Sequence, residues 1–163
     1  LLCGLDEKDI EFLQTSVLYH QFQIGDKPYI ALHGGIPASL EESYETLPSV
    51  EEVAGFSNKV RRRFSQFLRL RYQTPLGKFI ALGNEAEDSI FWSESYSGKF
   101  GFAFYGHQPY HDSEEGYFTT KHACGLDGGC VFGGVLNCVK FDSDGSWDVI
   151  QVQSHKKYAE PLM

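Results

Sequence analysis

The stretch YIALHGGIP, residues 29–37, sets a short apolar run against a histidine, two glycines and an Ile-Pro pair. Tyr29 to Leu32 has the pattern of a buried strand, and that pattern stops at His33. Glycine beside a histidine lets backbone, substrate or a second ligand come close. A second segment ends the same way. FGFAFYGH, residues 100–107, reads as a strand that runs out at Gly106 and His107. Strands fix side chains rigidly at their ends, and neutral imidazole is a good ligand for zinc, iron or manganese. A hydrogen-bonded structural histidine is the plain alternative at either position.

Outward from these strands the pattern is mixed. Residues 6–14, DEKDIEFLQ, read as a short helix capped by Asp6, with Asp9 three residues on. SVLYHQFQI (16–24) alternates as a strand, and GDKP turns it into the strand that ends at His33, which predicts a hairpin. Residues 38–55 are polar and acidic and predict a loop with short helical turns. Phe56, Val60, Phe64, Phe67 and Leu68 recur at helical spacing, so 56–68 is expected as one amphipathic helix. PLGKF is a turn, and 83–100 are irregular with an aromatic patch. TTKHACGLDGGCVFGGVLNCVKF reads as two strands around a glycine turn, and SWDVIQVQ (146–153) as a last alternating strand after the turn DSDG. The expected class is α/β or α+β, strand-rich in its second half, with no linker.

The 163 residues, 42% of them hydrophobic, make one domain with a real core. No apolar run approaches the ~20 residues of a membrane span, and LLCGLDEKD turns acidic too soon for a secretory segment. A soluble, cytoplasmic protein is the expectation. A net charge of −8 argues against nonspecific nucleic-acid binding, which depends on phosphate contacts. A site for an anionic substrate therefore needs local positive charge, from metal ions or from arginines. The basic cluster KVRRRFSQFLRLR (59–71) is either a solvated helix face or a source of one arginine that reaches a phosphate. Cys3, Cys124, Cys130 and Cys138 form no CxxC pair, which argues against a zinc site, and Cys124, Cys130 and Cys138 read as buried reduced thiols. His20, His111, His122 and His155 read as surface or structural residues. Asp6, Asp9, Asp26, Asp112 and Asp142 fall in caps and turns, so two histidines stand without the bridging carboxylate that a hydrolytic dimetal centre needs.

Taken together and in order, LHGGIP, YGHQPY and GLDGGCVFGGVLNCV resemble the C-terminal half of a calcineurin-like metallophosphoesterase. The similar branch contains bacterial serine/threonine phosphatases, symmetrical diadenosine tetraphosphatases and the phosphatase domain of polynucleotide kinase-phosphatase. Its fourth motif is HGG, its fifth is GH, and a segment of the type IDTGCVFGGKL follows. The resemblance covers roughly residues 5–158 and implies part of a four-layer αββα sandwich with mixed sheets. The family's first three motifs, of the types GDxHG, GDxxDRG and GNHE, have no counterpart. Residues 1–163 are accordingly expected to be the C-terminal portion of a longer domain, inactive alone, with an exposed apolar face or a swapped dimer where the N-terminal half is missing.

The resemblance further implies that His33 and His107 bind one of two divalent ions (Mn, Fe or Zn), at most one partial site lying in this chain. Gly34 and Gly35 would keep the corner open, Gly106 would let His107 turn inward, and Asp127 would either orient a metal-bound histidine or stabilise a turn. Arg71, or alternatively Arg69, would grip the phosphoryl oxygens. Trp92 would line the cleft or pack in the core. Gln108 and LDGG depart from the family's usual GHTP and IDTG. The implied activity is hydrolysis of phosphate esters by a dimetal-activated hydroxide, on a phosphorylated protein or a small-molecule or nucleotide phosphate, with specificity in loops 38–55 and 111–121. Serine/threonine-phosphatase-like chemistry leads, and symmetrical bis(5′-nucleosyl)-tetraphosphatase follows. A catalytically inactive scaffold or binding module is the alternative of another class.

Overall fold

A computed structural model describes residues 4–161. Helix α1 (Glu7–Gln14) opens on a reciprocal cap, in which the Asp6 and Asp9 carboxylates each accept the other's backbone N–H at 3.0 Å. Strands β1 (Tyr19–Ile24) and β2 (Lys27–Leu32) form the expected antiparallel hairpin, turned at Gly25 with φ 57°. The acidic stretch that follows holds two short helices, α2 (Ala38–Ser43) and α3 (Val50–Gly55).

The single helix expected over 56–68 is instead α4 (Asn58–Phe64), which tightens into a 3₁₀ turn over Ser65–Leu68. The Phe67 carbonyl there accepts the N–H of Gly34, 2.6 Å away, in place of a helical partner. Three two-residue strands follow as a small antiparallel sheet: β3 (Tyr72–Gln73), β4 (Phe79–Ile80) and β5 (Ile90–Phe91), with helix α5 (Trp92–Ser95) next. Strands β6 (Phe102–Tyr105), β7 (Phe118–Thr119) and β8 (Ala123–Gly125) join the first hairpin in a mixed sheet of order β1-β2-β6-β8-β7. Strands β9 (Val135–Phe141) and β10 (Trp147–Gln153) form a separate antiparallel hairpin. The two strands read around the glycine turn, β8 and β9, therefore belong to different sheets, and the glycine segment carries the chain between layers. The protein is α+β with mixed parallel and antiparallel pairing.

Side-chain alternation explains the layering. Along β2, Ile30 faces the helices and Tyr29 faces the β9–β10 hairpin; along β6, Ala103 and Tyr105 take the first side and Phe104 the second. The helix side buries Ile36, Leu40, Phe64, Phe67, Leu70 and Trp92. The hairpin side is aromatic: Phe141 packs edge-on against Tyr29 and Phe104, and Trp147 edge-on against Phe104. The order is helices, mixed sheet, hairpin.

The hairpin's outer face carries Leu136, Ile150 and Val152, each 50–60% exposed, together with an exposed Cys138. Cys138 is not the buried thiol expected; Cys124 is buried, Cys130 is half-buried, and Cys3 lies outside the described residues. Among the described residues, no helix is long and apolar enough to cross a membrane.

Gly34 and Gly35 are where backbone must pass closely. A Cβ on Gly34 would fall 2.8 Å from the Arg69 nitrogen, and one on Gly35 2.6 Å from the Trp92 ring. Gly35→Ala is expected to lower the free energy of unfolding by about 1–3 kcal/mol, the usual cost of overpacking, measured by denaturant titration. An unchanged midpoint would contradict this packing of Trp92.

Candidate functional site

Strands β2, β6 and β8 are parallel neighbours, and their carboxyl ends are flush: Leu32 pairs with Tyr105, and Tyr105 with Gly125. The residues just beyond these ends are His33, His107 and Asp127. Ligand sites in open α/β sheets collect at this edge. Backbone bonds hold the edge together. Gly106 N–H donates to the His33 carbonyl at 2.9 Å, Leu126 N–H to Tyr105 at 2.7 Å, and Tyr110 N–H to Asp127 at 2.7 Å.

This stitching brings His33 Nε2 within 3.1 Å of His107 Nδ1, although 74 residues separate them. His107 has φ 68°, the one positive φ of a non-glycine residue among those described. That left-handed backbone costs on the order of 1–3 kcal/mol and concentrates at functional sites. The inward turn expected of Gly106 is thus made by His107 itself. An Arg71 Nη donates to the His107 carbonyl at 2.7 Å, and the Arg71 carbonyl accepts the Trp92 N–H at 2.9 Å. Arg71 is thereby fixed against the strained residue.

The His107 imidazole is pushed down to about 4. Burial is the largest cause, followed by the positive charge of Arg71 and by His33, with Asp127 opposing them. Its folded-state value lies below the ordinary 6.5, so His107 is neutral throughout the range above pH 5. Its contribution to stability is complete above about pH 6.5 and is lost as the pH falls toward 4.

Two imidazoles in this arrangement suit a metal ion. The 3.1 Å separation is that of a hydrogen bond between the rings; metal–nitrogen bonds of about 2.0–2.1 Å at tetrahedral or octahedral angles put neighbouring donors roughly 2.8–3.4 Å apart, so it also fits two ligands of one ion. Among the described residues, no third histidine, cysteine or carboxylate completes the set.

The other expected positions divide. Asp127 lies at the same edge, and its Oδ1 accepts the Gly129 N–H at 3.1 Å, so it does stabilise a turn while facing His107 electrostatically. Gly34 and Gly35 are buried and tightly packed, not an open corner. Trp92 is 1% exposed in the core and does not line the cleft. Arg69 and Arg71 both line a cavity of about 520 Å³ that opens at His107. The same cavity takes in Arg62, Phe79 and Leu82, which the sequence reading missed. Arg63 is turned away, donating to Ser43 Oγ at 2.8 Å and to the Ser39 carbonyl. His20 and His155 are exposed, and His111 pairs with Asp112 at 3.3 Å, all outside the site.

A scan of the sequence against protein-family models gives no match, and a search of curated proteins gives no significant one.

The ring protons of His107 are expected to titrate by NMR with a midpoint at about 4. Arg71→Gln should move that midpoint upward, because the guanidinium opposes protonation. A midpoint at the ordinary histidine value in the unsubstituted protein would contradict the half-buried setting of His107 beside Arg71.

Proposed function

We propose that the chain is the histidine-bearing part of a metal-dependent phosphoesterase that hydrolyses phosphate esters in the manner of serine/threonine phosphatases. The observation that carries this reading is the pairing of His33 and His107 at 3.1 Å beside a cleft lined by Arg71. It is the arrangement implied by the HGG and GH segments. The helices, mixed sheet and hairpin would be three layers of a four-layer αββα sandwich. A further helical layer would cover Leu136, Ile150 and Val152 and bring the remaining metal ligands from residues outside this chain.

His33 and His107 would hold one of two divalent ions, manganese, iron or zinc. When bound, such ions polarise phosphoryl oxygens and activate water. Arg71 presents a rigid fork to the phosphoryl group and neutralises charge that grows during the reaction. Its bond to the His107 carbonyl sets the fork beside the imidazole pair. The oxygen of water bonds to phosphorus as the ester P–O bond breaks, and the leaving oxygen takes up the proton that water releases. Alcohol and inorganic phosphate are the products. In a chain of net charge −8, local arginines supply the attraction that an anionic substrate requires. Symmetrical cleavage of dinucleoside tetraphosphates is the second reading, since the same groups would serve it.

The test uses the protein expressed from its whole reading frame. Phosphate release from p-nitrophenyl phosphate should depend on added manganese, iron or zinc. His33→Ala and His107→Ala should each lower kcat/KM by at least about a hundredfold with loss of bound metal. Arg71→Ala should lower kcat by roughly 10²-fold with metal content unchanged. No hydrolysis with any of the three metals would overturn the reading and leave a binding module.

A further inference from the structure

The cavity at His107, about 520 Å³, is larger than one phosphoryl group needs, and its lining is segregated by charge. Arg62, Arg69 and Arg71 all face it, and no carboxylate lines it. Among the described residues, none of these arginines forms an ion pair with a carboxylate. Arg62 and Arg69 also have no side-chain hydrogen bond there, whereas neighbouring Arg61 bonds Asn58 and Arg63 bonds Ser39 and Ser43. In a protein with 22 acidic residues against 14 basic ones, three unpaired cations on one cleft are an unusual concentration.

Local structure explains their alignment. Arg62 lies on α4 and Arg69 caps the 3₁₀ turn that follows it, and both line the same cavity. Gly34, which receives the end of that turn, ties this segment to the strand carrying His33. Arg71 alone reaches the His107 backbone. Phe79, 40% exposed, and Leu82, 72% exposed, contribute an apolar wall to the same cavity.

We propose that Arg62 and Arg69 form a second anion subsite, so that the substrate is a phosphoester carrying a second phosphate group, its body lying against Phe79 and Leu82. The reacting phosphoryl group occupies the Arg71–His107 end, and that assignment rests on the phosphoesterase reading; the distal subsite does not. Specificity then resides in segment 62–82 rather than in loops 38–55 and 111–121, none of whose residues line this cavity.

The probes are propylphosphonate and propane-1,3-bisphosphonate, titrated calorimetrically into the protein expressed from its whole reading frame, with EDTA present. The bisphosphonate is expected to bind about tenfold more tightly, the usual worth of a charge-assisted contact. Arg62→Gln and Arg69→Gln should each reduce that advantage severalfold, and the double variant should abolish it. Both side chains are exposed, so the variants should keep the parent's circular dichroism and unfolding midpoint. Equal affinity for the two probes, or an advantage that survives both substitutions, would overturn the subsite. If the advantage depends on Arg62 and Arg69 while Arg71→Gln leaves monophosphonate affinity unchanged, the subsite stands and the phosphoesterase assignment of the His107 end fails.

Discussion

The parallel pairing of β2, β6 and β8 is the constraint on which the site depends. Parallel strands need long connections, so their ends gather residues that are remote in sequence. Here the flush register of Leu32, Tyr105 and Gly125 delivers His33, His107 and Asp127 to one edge. Backbone bonds between successive loop residues then fix the edge tightly enough to hold His107 in a left-handed conformation. Arg71 is held from two sides, by the carbonyl of that strained residue and by the backbone N–H of Trp92. The chemistry at the edge is thus coupled to the core. Trp92 can pack where it does because Gly35 has no side chain, and the arginine-bearing turn reaches the edge because Gly34 has none.

The electrostatics follow from the same arrangement. Burial and two cationic or basic neighbours keep His107 uncharged, which preserves its nitrogen lone pair as a donor. Positive charge is supplied nearby by Arg62, Arg69 and Arg71. A histidine pair next to these cations is a surface suited to a metal ion and an anion together, within a protein that is acidic overall.

Much of the fold was legible where alternation or a cap was strong. The β1–β2 and β9–β10 hairpins, the Asp6 cap and the helical turns after Pro37 all follow the patterns that announce them. The pieces β3, β4 and β5 were not legible, because two residues carry no periodicity. Nor was the separation of β8 from β9, since glycine content marks a turn but not the layer to which it leads. At the site, His33 and His107 stood out because two strands end alike. The spacing of Arg62 and Arg69 was visible, but a solvated helix face has the same spacing. Only the absence of acidic partners around the folded cleft separates the two. The GH segment suggested that glycine would make the turn, whereas the neighbouring histidine does so.

That His33 and His107 act as one paired donor site is tested most directly by calorimetric titration with zinc, at neutral pH, of the protein expressed from its whole reading frame. One equivalent should bind at a site that is lost in His33→Ala and equally in His107→Ala, while substitution of the exposed His20 leaves it intact. Zinc binding that persists unchanged in both variants would contradict the account.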